Sequence, residues 1–293
     1  MDGVINLFKP SGMTSHDLVD RLRAIARQKE VGHAGTLDPM ADGVMLCLLG
    51  RATRLTPYLH ALRKSYRGTM TLGIRTTTQD AEGEIFHATD ASPITREQVE
   101  AVAQQFIGTI LQVPPMYSAV KIGGQKLHEL ARQGVEVERK PRPVTVYALE
   151  ILAFHEGEHP RVEFRVECGS GTYIRTLASD IGDRLGVGAH LSQLTRTAIG
   201  QFRLEDAHSL DELTDAEHLR SLLIKPADAL YFLPRWKPTQ AVLERLLNGN
   251  YVQAEHPLWT PGNHVLVMED ENTIALIARW LPPLLRPVRV IRA

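Results

Sequence analysis

An acid, an arginine and two tyrosines in this 293-residue chain have the types and settings that chemistry on a flat substrate would need. The acid is Asp38, in "GHAGTLDPMADG" at 32–43, with His33 five residues upstream. Asp before Pro is also a common helix start, the carboxylate capping free N–H groups and Pro filling the first turn. Against that reading stands "VMLCLL" at 44–49, an apolar strand-like run that would pin a polar loop to a core. Arg175 and one tyrosine, Tyr173, stand two apart in "CGSGTYIRT" at 168–176, on one side of the chain if it is extended there. Such a pair could grip a carboxylate while the ring covers a planar base, or be a core tyrosine beside a surface arginine. Tyr66, in "KSYRG", shares a strand face with Gly68, Met70 and Leu72, so it is a core ring by default. With Lys64 and Arg67 beside it, it could also stack on a base.

Other chemistries find little support. "CGSGTYIRT" lacks both the third glycine of a dinucleotide loop and the lysine of a phosphate loop. Nothing near His33 supplies further metal ligands, so neither metal nor cofactor is expected. Cys47 and Cys168 have no CxxC spacing, and Cys168 has no adjacent His or Lys to make it a nucleophile toward a pyrimidine. What fits is a reaction using one carboxylate on an aromatic substrate attached to phosphates.

A formal net charge of −1 argues at first against a nucleic-acid partner, but the charges are segregated. Between Asp42 and Asp80 there is no acid, while Arg51, Arg54, Arg63, Lys64, Arg67 and Arg75 fall there. A second basic group runs Lys121, Lys126, Arg132, Arg139, Lys140, Arg142. Either could be only a solvated face. No apolar run reaches membrane-spanning length, and "MDGVINLFKPSGM" lacks signal-peptide features, so a cytoplasmic protein is expected.

The elements that must position these residues alternate irregularly. "GVINLF" predicts a strand and "SHDLVDRLRAIARQK" an amphipathic helix capped by Thr14 or Ser15. A short helix near 51–62 precedes the strand "SYRGTMTLGI", with "GEIFHAT" as its partner. A helix with Thr95 and Gln98 in capping-box spacing stops at Gly108. A basic, proline-rich excursion then holds one short helix ended by Gly134. "RVEFRVEC" returns as a strand, and a turn feeds a helix from "GTYIRTLASDIGDRLG". After "LPRWKP" a small β-rich unit carries one helix; below comfortable independent size, it is expected to pack on the main body. The class is α+β with a mixed sheet.

"GHAGTLDPMADG", "YRGTMTLG", "VPPMYSAVKIGGQKLHELARQG", "GTYIRTLASDIG" and "AHLSQLTRTAIG" resemble, in order and spacing, the motifs of bacterial tRNA pseudouridine-55 synthases of the TruB type, from Asn6 to about Phe202. The resemblance implies a pseudouridine-synthase-like fold: a mixed, mainly antiparallel sheet flanked by helices, an RNA-clamping insertion at about 113–143, and a small PUA-like β-barrel. It divides the chain into a catalytic domain, 1–232, and an RNA-binding domain, 235–293. The implied activity detaches uracil from C1′ of a T-loop uridine in tRNA, turns the base and rejoins it through C5, without cofactor, metal, membrane or obligate protein partner, and as a monomer.

In that scheme Asp38 is catalytic, Arg175 pairs with it, Tyr66 stacks on the base, Leu194 lies below it and Tyr173 packs against base or ribose. His33 fills the gap left by the flipped base, and Lys9 and Pro10 support the site. Lys64, Arg67, Lys121, Lys126, Arg132 and Arg142 are candidate RNA-docking cations. The chain departs from the pattern at Asp42, where many relatives have Thr and which is expected to face solvent, and at Thr77, Thr195 and His128. Two other readings remain: an RNA-folding factor for which catalysis is secondary, and a synthase working on another RNA within a guide-RNA particle.

Overall fold

Burial follows the predicted faces closely. β1 (Gly3–Lys9) leads through a turn to α1 (Ser15–Ala26). Thr14 caps that helix through its hydroxyl and Asp17 answers to the Thr14 N–H, a complete capping box. β2 (Val31–His33) and the almost wholly buried β3 (Asp42–Leu49) bracket the Asp38 loop. A 3₁₀ turn and α2 (Thr56–His60) occupy the predicted short helix. β4 (Lys64–Leu72) alternates between the two faces. It stops at Gly73, where φ is +79° and a β-carbon would strike the Thr89 carbonyl.

"GEIFHAT" does not pair with β4. It forms β6 (Ile85–Ala88) against β5 (Ile74–Thr76), a separate ribbon beyond Gly73. α3 (Arg96–Gln104) has the expected capping box but ends short of Gly108, which opens β7 (Gly108–Gln112), a strand the sequence did not announce.

The excursion contains β8 (Lys121–Ile122), β9 (Gln125–Lys126) and α4 (Leu127–Arg132). It returns in the long β10 (Arg142–His155), which pairs with β7, so the insertion bulges from between two neighbouring strands. β11 (Arg161–Cys168), α5 (Ile174–Arg184), β12 (Ala189–Ile199) and β13 (Phe202–Arg203) follow, then α6 (Ala216–Ser221) and α7 (Pro226–Ala229). The last unit comprises β14 (Arg235–Trp236), α8 (Gln240–Leu247), β15 (Val252–Gln253), β16 (His264–Met268), β17 (Ile274–Leu281) and β18 (Leu284–Val290). The structure is a computed structural model describing all residues except Ala119, Glu255, Pro257, Leu258 and Ala293, and omitting the side chains of Lys121, Ile122, Lys126, His128, Glu129 and Arg132.

The main sheet runs β1-β3-β12-β4-β11-β10-β7, with β2 on β3 and β13 on β12. Its pairings are antiparallel except β12 with β3, which run parallel over only Thr195↔Asp42 and Arg196↔Gly43. One face packs on α3 and α5 around Met70, Phe164, Leu177 and Leu191. The β1 and β3 end packs on α1 through Ile5, Met45, Leu18 and Leu22. The five C-terminal strands curl into a half-barrel, β14-β16-β17-β18-β15. Leu266, Met268, Ile274 and Ile277 share a core with Val44, Leu46 and Leu59, so the half-barrel docks on the main body as expected for a unit of its size.

Candidate active site

Asp38 lies in a turn rather than at a helix cap: Ala41 N–H donates to its carbonyl at 3.1 Å, and β3 begins at Asp42. The loop is held from below on both sides of the acid. Ser15 Oγ donates to the Leu37 carbonyl and accepts from the Leu37 N–H, each at 2.9 Å. Lys9, fully buried, donates its ammonium to the carbonyls of Pro10 (2.9 Å) and Met13 (2.6 Å) and reaches Pro39 at 3.4 Å. Lys9 and Pro10 thus lie beneath the Asp38 loop.

Arg175 is the hub. Its side chain is 5% exposed and meets two carboxylates, Asp38 Oδ2 at 2.8 Å from Nε and Asp80 Oδ2 at 3.2 Å from Nη1. The Nε contact is ionic, being off the N–H axis, whereas Nη2 hydrogen-bonds Asp38 Oδ1 at 3.2 Å. Nη1 and Nη2 also donate to the carbonyls of Thr78 (3.0 Å) and Tyr117 (2.9 Å). One guanidinium therefore joins the Asp38 loop, the β5–β6 loop and the start of the insertion. Asp80 escaped the sequence reading: it ends the polar run "RTTTQD", placed by a left-handed Gln79 at φ +64°, and spacing gives no hint that it reaches Arg175.

Tyr173 and Arg175 do not sit on an extended strand. Tyr173 is the residue before α5, and Arg175 belongs to the first helical turn. The pair is positioned by Gln112, whose Oε1 accepts from Tyr173 N–H at 3.0 Å and whose Nε2 donates to the Tyr173 carbonyl at 3.2 Å. The half-buried Tyr173 hydroxyl contacts Ser118. Burial pushes its pKa up, with the negative charge of Asp38 adding to the rise.

Tyr66 and Leu194 are buried in one cluster with Leu37 and Ala41, the apolar neighbours of Asp38. Burial raises the Tyr66 hydroxyl's pKa, and a hydrogen bond and charge from Arg196 oppose the rise. His33 is half-buried at the end of β2, its Nδ1 accepting from Gly35 N–H at 3.3 Å. Burial, then the Arg196 charge, lowers its pKa, so the ring is neutral at pH 7.

Two expectations need correction, those for Lys64 and Asp42. Lys64 shares the inward parity of Tyr66; it is 5% exposed and its ammonium is spent on the carbonyls of His60 and Leu62, so it is not a surface cation. Arg67, one residue on, faces the opposite side of the sheet and pairs with Glu163 at 2.8 Å. Asp42 is only partly open to solvent: its Oδ1 is buried without a hydrogen-bond partner, and its charge opposes the burial-driven fall of the Lys9 pKa. Arg142 is exposed at the start of β10, close enough to Tyr173 for its charge to act on the hydroxyl. The side chains of Lys121, Lys126 and Arg132 lie outside the described residues.

Cys168 is buried and its thiol pushed up to about 11, which removes it as a nucleophile near neutrality. Among the described residues no group of three His, Cys, Asp or Glu could hold a metal ion, and no helix is long and apolar enough to cross a membrane.

The buried amines make stability respond to pH. Burial holds Lys9 and Lys64 at about 8 instead of 10.5, so above pH 8 the folded chain has shed protons that the unfolded chain keeps, and stability rises. Cys47 and Cys168, held at about 12 and about 11 instead of 9.0, keep protons that the unfolded chain loses, so they oppose the rise above pH 9. Urea midpoints are expected to climb between pH about 8 and about 9, and Lys64→Met to flatten the climb. An unchanged slope in that variant contradicts the assignment.

Comparison with known proteins matches residues 23–174 to the TruB family pseudouridylate synthase N-terminal domain and 175–231 to the tRNA pseudouridylate synthase B C-terminal domain. The chain belongs to the TruB family. The tRNA pseudouridine synthase B of Geobacillus thermodenitrificans is 44% identical over the whole of both chains. That of Geobacillus kaustophilus is 48% identical over 85% of this chain and 90% of its own. Among solved structures, a chain of a Cbf5-Nop10-Gar1 complex superposes with a TM-score of 0.74 at 28% identity, covering 99% of this chain and 85% of that one. As a TruB-family pseudouridylate synthase the chain is an isomerase. The Asp38–Arg175 pair joins the two matched segments, one residue from each.

Proposed function

We infer that the protein isomerises uridine to pseudouridine at position 55 in the T-loop of tRNA. The observation that carries this reading is the Asp38 carboxylate, partly open to solvent and held by a buried arginine beside a buried aromatic ring. The full-length likeness to bacterial tRNA pseudouridine synthases B supports tRNA as the substrate.

The target base is flipped out of the loop and stacks on Tyr66 with Leu194 below it. The neutral His33 ring fills the vacated place in the RNA. Tyr173 packs against base or ribose. Asp38 assists cleavage of the C1′–N1 bond, as nucleophile at C1′ or as base toward a sugar proton, and Arg175 fixes its carboxylate. After the base turns, C5 bonds to C1′ as the C1′–Asp38 bond breaks or as C2′ takes its proton back; C5 then loses its proton and N1 gains one. Residues 1–232 form the catalytic unit, the insertion at about 113–143 clamps the T-loop, and 235–293 bind RNA.

Release of tritium from 5-labelled uridine in a bare T-stem-loop tests the reading. Wild-type protein is expected to release it without any other RNA or protein. Binding without release would leave an RNA-folding factor, and release only with a guide RNA would transfer the activity to a particle. Arg142 is a candidate docking cation that stands exposed at the start of β10. Arg142→Ala is expected to weaken tRNA binding at low salt and to reduce the salt slope by about one. A slope equal to wild type removes Arg142 from the docking face.

A further inference from the structure

Arg196 is 1% exposed, and its guanidinium donates to three backbone oxygens: Nε to Val44 at 2.6 Å, Nη1 to Thr36 at 3.2 Å and Nη2 to Gly35 at 3.3 Å. The site for it is built by topology. β12 and β3 run together for only two residue pairs and then diverge, and the Arg196 guanidinium enters where they part. Gly43, at φ +109°, is required there because a β-carbon would collide with the Arg196 backbone. Across the other edge of β12, Arg196 stands opposite Tyr66 and hydrogen-bonds its hydroxyl. No carboxylate among the described residues pairs with it. The contrast with Arg175 is sharp, since that cation is shared between two acids. A buried cation whose partners are all neutral carries a desolvation cost that tying down a loop alone does not require of a charged group.

We propose that Arg196, acting through the Tyr66 hydroxyl, stabilises the negative charge that uracil acquires when it leaves C1′. The inference rests on the reading above, in which the base lies on Tyr66. In either route for Asp38 the C1′–N1 bond breaks with both electrons remaining on the base, spread over N1, O2 and O4. C1′ is then satisfied by a bond to the Asp38 carboxylate, or by loss of the C2′ proton to it. The leaving base is an anion in both cases. Asp38 gives up its charge in forming the ester or taking the proton and has no positive charge to offer the base, while Arg175 stays paired with the buried Asp80 carboxylate. Arg196 supplies positive potential from a fixed, dry position, where such a charge acts strongly and needs no reorganisation during the reaction. Arg196 is thus a positioning residue, with Tyr66 as the group that touches the base.

The test compares leaving groups. T-stem-loops carrying uridine or 5-fluorouridine at the target position are reacted under single-turnover conditions, and the C-nucleoside formed is measured after digestion; the 5-fluoro base, with no C5 proton to lose, takes up water at C6 instead. Fluorine makes the uracil anion intrinsically more stable, so the help it needs from the protein is smaller. Arg196→Met is expected to slow uridine by about 100-fold, and 5-fluorouridine by a factor at least about threefold smaller. Arg196→Lys keeps the charge but not the three-carbonyl fork, so its two losses are expected to be nearly equal and smaller than those of the methionine variant on uridine.

Equal losses of Arg196→Met on the two substrates overturn the proposal and leave Arg196 as a tie between loop and sheet. If the methionine variant does not fold, Arg196→Gln is read in the same way. Wild-type failure on the uridine stem-loop would instead defeat the reading of function, so the two failures are distinct.

Discussion

Asp38→Asn is expected to abolish turnover, by on the order of 10⁴-fold or more, while tRNA binding stays close to wild type. The substitution keeps size and shape and removes the charge that either route requires. The fold should tolerate it: Arg175 retains Asp80 and the Thr78 and Tyr117 carbonyls, and the Leu37 backbone still closes on Ser15. Tritium release from a 5-labelled T-stem-loop under single-turnover conditions gives the rate, and filter binding gives the affinity. Loss of both together would mark a folding defect, which thermal melting would reveal. Retained activity would move the catalytic role to another acid. Asp42 is the first to examine, its buried Oδ1 being only four residues away, and Asp80 the second.

How much of this was legible in the sequence depended on whether a residue acts through its own strand or through a distant loop. Strand parity carries real information, and Lys64 shows it. The alternation that buries Tyr66, Met70 and Leu72 also buries Lys64, and the same alternation sends Arg67 to the other face. Strand parity thus separates the two, and only Arg67 belongs to a surface cluster. Arg196 was legible in the same way, since Leu194, Arg196 and Ala198 share inward parity along β12. The position of Arg175 was legible only as a candidate, because its helix setting is decided by the turn before α5.

Asp80 was not legible. It is carried by the loop of the β5–β6 ribbon, whose pairing was itself misassigned because Gly73 breaks a run that reads as one continuous strand. Asp42 was misplaced for a different reason. The charge it acts on is an amine that β1 buries beneath the Asp38 loop, and such an influence between a strand end and a loop leaves no periodic signature.

Arg175→Leu is expected to cost both activity and stability, and Asp80 provides the means of separating them. Removing one partner of a buried ion pair is worth about 3–5 kcal/mol, because the remaining charge keeps its desolvation cost. Asp80, with a side chain only 4% exposed, is the charge left stranded. Asp38, more open to solvent, can rehydrate but is no longer aimed, and a roughly 100- to 1,000-fold loss of rate is expected.

Adding Asp80→Asn to Arg175→Leu should then recover part of the stability, since the stranded charge is gone, without recovering rate, since Asp38 is still unheld. Urea denaturation and tritium release on the two single variants and the double variant complete the cycle. If stability losses simply add, Asp80 and Arg175 do not act as a pair in the folded chain. If rate returns with stability, the arginine serves the fold alone and the orientation of Asp38 must come from the Ser15 and Lys9 supports beneath its loop.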